Sequence, residues 1–141
     1  MASPPVRDSR LSTKLRLAPT RYEPVSRIAA GGMAEVWRAT AIFEQGESHP
    51  VAIKRVLPEL SADPLYRQMF EDEARLGMLL RHANIVRIYD ARAIGDTFLM
   101  IMELVDGAAL KAIFDHAHAR RVGFPVPAAL HIVGELARAL A

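Results

Sequence analysis

Val51-Ala52-Ile53-Lys54-Arg55-Val56-Leu57 (VAIKRVL, residues 51–57) is a β-branched, apolar run that holds Lys54 in its middle and stops at Pro58. It reads as a strand, because β-branched side chains suit a pleated, half-buried surface and Pro cannot continue a ladder. Lys54 is the anomaly. An ammonium flanked by Ile53 and Val56 is costly to bury without a counter-charge. Only three of the 18 basic residues are lysine, namely Lys14, Lys54 and Lys111. A compact point charge therefore stands in this strand of a chain that otherwise uses arginine, and a chain of phosphates would use it well. A lysine snorkelling from an edge strand is the plainer alternative.

Upstream lies Ala29-Ala30-Gly31-Gly32-Met33-Ala34-Glu35-Val36, between the strand-like stretches Tyr22–Ala30 and Glu35–Phe43. Small residues there let backbone N–H groups approach phosphate oxygens. A simple two-glycine turn has the same composition. No Gly-Lys-Ser/Thr and no helix follow, which excludes the Walker and dinucleotide-binding patterns. Glu44–Pro50 reads as a polar hairpin loop.

Downstream, Asp63-Pro64 starts a helix that runs to Arg81, with Leu65, Met69, Phe70, Leu76 and Leu80 at helical spacing. Glu73 lies three residues from both Phe70 and Leu76, so it borders the apolar stripe and is the acid placed to meet Lys54. Glu71 and Asp72 then face solvent; solvation of all three acids is the plainer alternative. Ile85–Ala93 and Thr97–Val105 read as strands joined at Gly95-Asp96. The segment Phe98–Gly107 passes from an apolar strand into a polar turn, which suits backbone contacts to a flat heterocycle as well as a plain core strand. Ala109–Arg121 and Pro127–Ala141 read as helices. The predicted class is α+β: a five-stranded antiparallel sheet with one helix inserted after the third strand, then two helices.

The chain has 141 residues, about half of them hydrophobic and a quarter charged, with no cysteine. One globular domain of this size can bury roughly two thirds of its extended surface. Disulfides, thiolate metal sites and cysteine nucleophiles are excluded. No apolar run approaches the ~18 residues of a membrane span. Residues 1–21 carry Arg7, Arg10, Lys14, Arg16 and Arg21 against Asp8. They form a basic leader without the interleaved aromatics of a nucleic-acid binder, and no nucleic-acid partner is expected. His116 and His118 diverge on a helix, and no metal site is expected.

Taken in order, and with His82-Ala83-Asn84-Ile85-Val86 nine residues after Glu73, these signals resemble the N-terminal lobe of protein kinases. The Gly-Gly-Met-x-Glu-Val run resembles bacterial serine/threonine kinases of the eukaryotic type. The resemblance covers about residues 22–141. It implies a leader over 1–20, an ATP-binding N-lobe with a regulatory helix over 21–105, and the hinge and first two helices of an incomplete C-lobe over 106–141. Lys54 would pair with the α- and β-phosphates of ATP and with Glu73, these two being the catalytic residues. Ala29, Ala30, Gly31, Gly32, Met33 and Ala34 would cover the phosphates. Ile28, Val36 and Ala52 would contact adenine, Met102 would be the gatekeeper, and Glu103 and Val105 would offer backbone hydrogen bonds. Gly77 and Ile88 fall at hydrophobic spine positions. Ala29 and Ala34 stand where the family has glycine, and Ala29 would be strained by about 1 kcal/mol if its φ were positive.

The sequence contains neither His-Arg-Asp nor Asp-Phe-Gly, the family's sources of the catalytic Asp and of Mg²⁺ ligands. The resemblance thus implies a truncated chain that is inactive alone, with Mg²⁺ and protein substrates belonging to a full-length cytoplasmic kinase. A non-catalytic module binding nucleotide or protein is the alternative. Membrane anchoring of a full-length protein stays open. Leu130, Ile132, Val133, Leu136 and Leu140 would lack a C-lobe to pack on, so self-association is expected.

Overall fold

The computed structural model describes residues 19–141. The leader assigned to 1–20 lies outside the described residues except for Pro19 and Thr20. The chain forms β1 (Arg21–Ala30), β2 (Ala34–Ile42), β3 (Ser48–Val56), α1 (Pro58–Ser61), α2 (Pro64–Leu79), β4 (Ile88–Ile94), β5 (Thr97–Glu103), α3 (Leu110–Ala119) and α4 (Val126–Leu140). The five strands make one sheet in the order β1-β2-β3-β5-β4, every pair antiparallel. Gly46 and Gly95, at φ of 77° and 57°, turn the β2–β3 and β4–β5 hairpins in the left-handed region that glycine enters without strain.

Three differences from the sequence reading exceed two residues, each for a physical reason. β3 starts at Ser48, so Pro50 sits within a strand and not in the hairpin loop. Pro50 pairs with Thr40 of β2, but β5 pairs with β3 only from Val51 onward, so the missing N–H faces no strand. Pro58 does end β3, and it also opens the short helix α1, which the sequence reading omitted. β4 begins at Ile88 and not at Ile85. Asn84 N–H donates to His82 Nδ1 at 3.0 Å and Ile85 N–H to the His82 carbonyl at 3.2 Å, which curls this stretch into a turn. The α2 start agrees: Asp63 Oδ1 accepts from Leu65 N–H at 2.8 Å, the N-cap bond.

The chain divides into two compact units. The first holds the sheet with α1 and α2, up to Leu80 and again over Arg87–Leu104. The second comprises Arg81–Val86 and Val105–Ala141. Within it, Asn84 Nδ2 donates to both the backbone carbonyl and the carboxylate of Glu135, at 2.8 and 2.7 Å. That amide is the main reason the Glu135 carboxyl lies below the usual carboxylate range, with Arg138, His131 and His82 adding to it.

Strand alternation gives the sheet two apolar faces. On one, Ala39, Ala41, Val51, Ile53 and Ile101 are buried, with Tyr22, Phe43, Tyr89 and Leu99 packed around them. On the other, Val56 and Met100 meet Phe70 and Ala74 of α2. Gly77 of α2 and Ile88 of β4 fit each other closely. A Cβ on Gly77 would lie 2.2 Å from Ile88 Cδ1 and 3.2 Å from its Cγ1. Gly77→Ala should therefore be more favourable in an Ile88→Val background, which lacks that Cδ1, than in the parent. We expect a coupling of about 1 kcal/mol in urea-unfolding midpoints; additive effects would show that the two residues do not compete for the same space.

Candidate nucleotide site

Lys54 lies on the sheet face covered by α2, and Glu73 lies on α2. Lys54 Nζ is 2.6 Å from Glu73 Oε1 and 2.7 Å from Oε2, across 19 residues of sequence. The run around Lys54 is buried, but the pair is not: the Lys54 side chain is 25% exposed and that of Glu73 53%. A pair so wet contributes little to stability. Its consequence is placement, since it fixes an ammonium at the rim of a cleft. Phe70 supports it from below, with Nζ 5.8 Å from the ring centroid. Of the neighbouring acids, Glu71 is exposed and Asp72 turns to Arg75 at 3.8 Å.

Met33 and Ala34 of the Gly31–Ala34 turn line the same cleft as Lys54, Tyr66, Phe70 and Glu73, a space of about 270 Å³. Two backbone bonds hold the turn. Gly31 N–H donates to the Ala34 carbonyl at 2.8 Å, and Leu57 N–H donates to the Met33 carbonyl at 3.0 Å. Ala29 and Ala30 remain in β1, opposite Val36 and Glu35. Among the described residues, Arg121 is the one non-glycine with positive φ, so alanine at position 29 carries no left-handed strain. Nothing lies within 4 Å of a Cβ built on Gly32, and Gly31 would meet only the Ala34 carbonyl oxygen, at 3.6 Å. The turn's outer surface is open to a ligand.

Of the residues expected at the adenine, Val36, Ala52 and Met102 share the Lys54 face by register: Val36 is opposite Lys54, and Ala52 is opposite Met102. Ile28 is not brought among them by pairing. It sits in the bulge between Arg27 and Ala29, without a cross-strand partner, and is half exposed. Glu103 donates its N–H to the Arg87 carbonyl at 2.9 Å, so it could serve a ring only as an acceptor, through its own carbonyl. Val105 belongs to the second unit and is exposed.

The residues fit ATP in one respect that the structure displays: a cation and an unobstructed small-residue turn border one cleft. Among the described residues, no group of three or more His, Asp or Glu could hold a metal ion.

One ionic cluster escaped the sequence reading. Glu35, on the sheet face opposite Lys54, is 5% exposed. Arg55 donates to its Oε1 from Nε at 2.9 Å and also from Nη2, while Arg27 Nη1 stands 3.7 Å from Oε2. The carboxyl lies below the usual carboxylate range, first because of the Trp37 indole beside it and then because of Arg55. Trp37 Nε1 nevertheless reaches no partner in hydrogen-bonding geometry, so its effect is that of a nearby N–H dipole. Glu35 is covered by these side chains without lying deep in the protein. Alternation held the clue: Glu35 shares the face of Trp37, and Arg55 that of Ile53.

An antiparallel five-stranded sheet, the helix α2 packed on it and a Lys–Glu bridge between them define a protein-kinase-like N-lobe. The chain belongs to the protein tyrosine and serine/threonine kinase family, whose model matches residues 23–141. It is 35% identical over 119 residues to the tyrosine-protein kinase MasK of Myxococcus xanthus, covering 84% of this chain and 18% of MasK. It is 36% identical over 93 residues to the serine/threonine-protein kinase PknD of Chlamydia trachomatis, covering 66% of this chain and 10% of PknD. Among solved structures, a double mutant of the Mycobacterium tuberculosis PknI kinase domain superposes with a TM-score of 0.67 at 27% identity, covering 86% of this chain and 46% of that domain. The chain thus spans less than a fifth of these two curated relatives and under half of the solved kinase domain.

Proposed function

We propose that this chain is the ATP-binding portion of a serine/threonine protein kinase. The observation that carries the reading is the two-oxygen contact of Lys54 with Glu73, at the rim of a cleft that Met33 and Ala34 also line. Lys54 binds the α- and β-phosphates, and Glu73 holds the ammonium in place. Gly31 and Gly32, with Ala29, Ala30, Met33 and Ala34, cover the phosphates. Ile28, Val36, Ala52 and Met102 border the adenine, and the Glu103 carbonyl accepts a hydrogen bond from it. Serine/threonine specificity is supported by the likeness to the serine/threonine-protein kinase PknD and by the Gly-Gly-Met-x-Glu-Val run. The name of MasK supports tyrosine instead, and phosphoamino-acid analysis of a kinase carrying this lobe separates the two.

Phosphoryl transfer needs metal ligands and a substrate-positioning acid that these 141 residues lack. With radiolabelled ATP, Mg²⁺ and a generic protein substrate, we expect the chain to bind ATP and to incorporate no phosphate above a Lys54→Met control. Incorporation above that control would refute the assignment as a binding portion only. Absence of ATP binding would favour a protein-binding module. In such a kinase further residues would cover α4, which exposes Leu130, Val133, Leu136 and Leu140. A role that draws on ATP would put this lobe in the cytoplasm, where the nucleotide is.

A further inference from the structure

Glu35 is the residue after the Gly31–Ala34 turn, and Arg55 is the residue after Lys54. Because side chains alternate along a strand, both point away from the nucleotide cleft, and the register places them directly opposite each other on β2 and β3. Arg27, on the strand that leads into the turn, approaches the same carboxylate at 3.7 Å. One covered acid therefore ties together the strand entering the turn, the strand leaving it and the strand bearing Lys54. The Glu35 side chain is 6% exposed, against 42% for Arg55 and 58% for Arg27. Lifting the start of β2 away from β3 would break the forked Arg55 contact and the Arg27 approach together, so the charge-assisted bonds oppose that motion.

We propose that Glu35 is a positioning residue: acting through Arg55 from the far side of the sheet, it holds the Gly31–Ala34 turn at a fixed height over Lys54. The inference rests on the nucleotide-site reading above. Adenine is also bordered by Ala52 and Met102, paired on β3 and β5 away from the turn, whereas the phosphates meet the turn itself. Loss of the tether should therefore weaken ATP far more than adenosine. The turn itself carries two reporters that need no nucleotide, the Gly31 amide bonded to Ala34 and the Leu57 amide bonded to Met33.

The test uses the full chain with Glu35→Gln, which keeps shape and removes charge, and with Arg55→Lys, which keeps charge and removes the forked donor. Amide hydrogen exchange and competitive binding of ATP and adenosine are measured on each. For Glu35→Gln we expect exchange at Gly31 and Leu57 to rise about fivefold while the Ile101 amide in the core of β5 is unchanged. We expect ATP affinity to fall about tenfold with adenosine changing less than twofold. Arg55→Lys should fall between Glu35→Gln and the parent, and it carries the test should Glu35→Gln not fold. An unchanged ratio of ATP to adenosine affinity, with parental exchange at Gly31 and Leu57, overturns the inference while leaving the nucleotide site standing. A parent chain that binds neither ligand overturns the nucleotide site and the positioning role with it, even where the exchange data reveal a tether.

Discussion

In the Lys54→Met chain, ATP affinity is expected to fall about a hundredfold, whereas adenosine affinity should change less than twofold. Methionine matches the length of lysine and removes only the ammonium. Each charge-assisted hydrogen bond to phosphate is worth about 1.5–3 kcal/mol, and 1.4 kcal/mol is a factor of ten in affinity. Losing the central cation of a triphosphate site therefore means between one and two decades, with long-range attraction adding to it at low salt. Stability should hardly move, because the Lys54–Glu73 pair is wet: one partner is a quarter exposed and the other more than half. Glu73→Gln should weaken ATP by about tenfold only, since the ammonium remains and loses just its anchor. Competition against a fluorescent ATP analogue, with the urea midpoint followed by Trp37, the chain's one tryptophan, separates these effects. An equal loss for adenosine and ATP would place Lys54 in the fold and not at the phosphates.

How much of this was legible in the sequence depended on whether a residue's role was local or paired. The strand around Lys54 follows from its β-branched run, the cap at Asp63 from the Asp-Pro pair and the face of Glu73 from helical spacing, and the structure places all three accordingly. Pro50 misled because a proline in a strand is judged by what lies beside it, and the reach of β5 along β3 is a property of the assembled sheet. Ile85 misled because the hydrogen bonds that curl His82–Ile85 into a turn come from the local pairing of His82 and Asn84, which apolar pattern does not register. Glu35 escaped for a related reason. A lone acid before a tryptophan looks solvated until Arg55 and Arg27 are brought over it from two other strands. Ala29 carries no strain because β1 runs through to Ala30, which keeps position 29 paired with Val36 in the sheet.

Phe70→Ala is expected to destabilise the first unit by about 3–5 kcal/mol and to weaken ATP binding in the same stroke. Phe70 is 5% exposed and joins α2 to the sheet through Val56 and Met100. Its ring stands 6.5 Å from that of Phe98 and under the Lys54 ammonium at 5.8 Å. Truncation removes the transfer energy of the ring and leaves a cavity that a sheet on one side and a helix on the other cannot close without moving. The helix has little else to hold it: its other buried residue is Ala74, and Leu65, Met69, Leu76 and Leu79 are at least half exposed. Glu73 is three residues from Phe70, so any retreat of α2 from the sheet carries the carboxylate away from Lys54. The Trp37-monitored urea midpoint should drop accordingly, and ATP affinity measured where the variant is still folded should resemble that of Glu73→Gln. Phe70→Leu, which refills much of the space, should recover most of both. A large loss of stability with parental ATP affinity would show that the helix holds Glu73 in place without this ring, and that packing and charge placement are separable in this lobe.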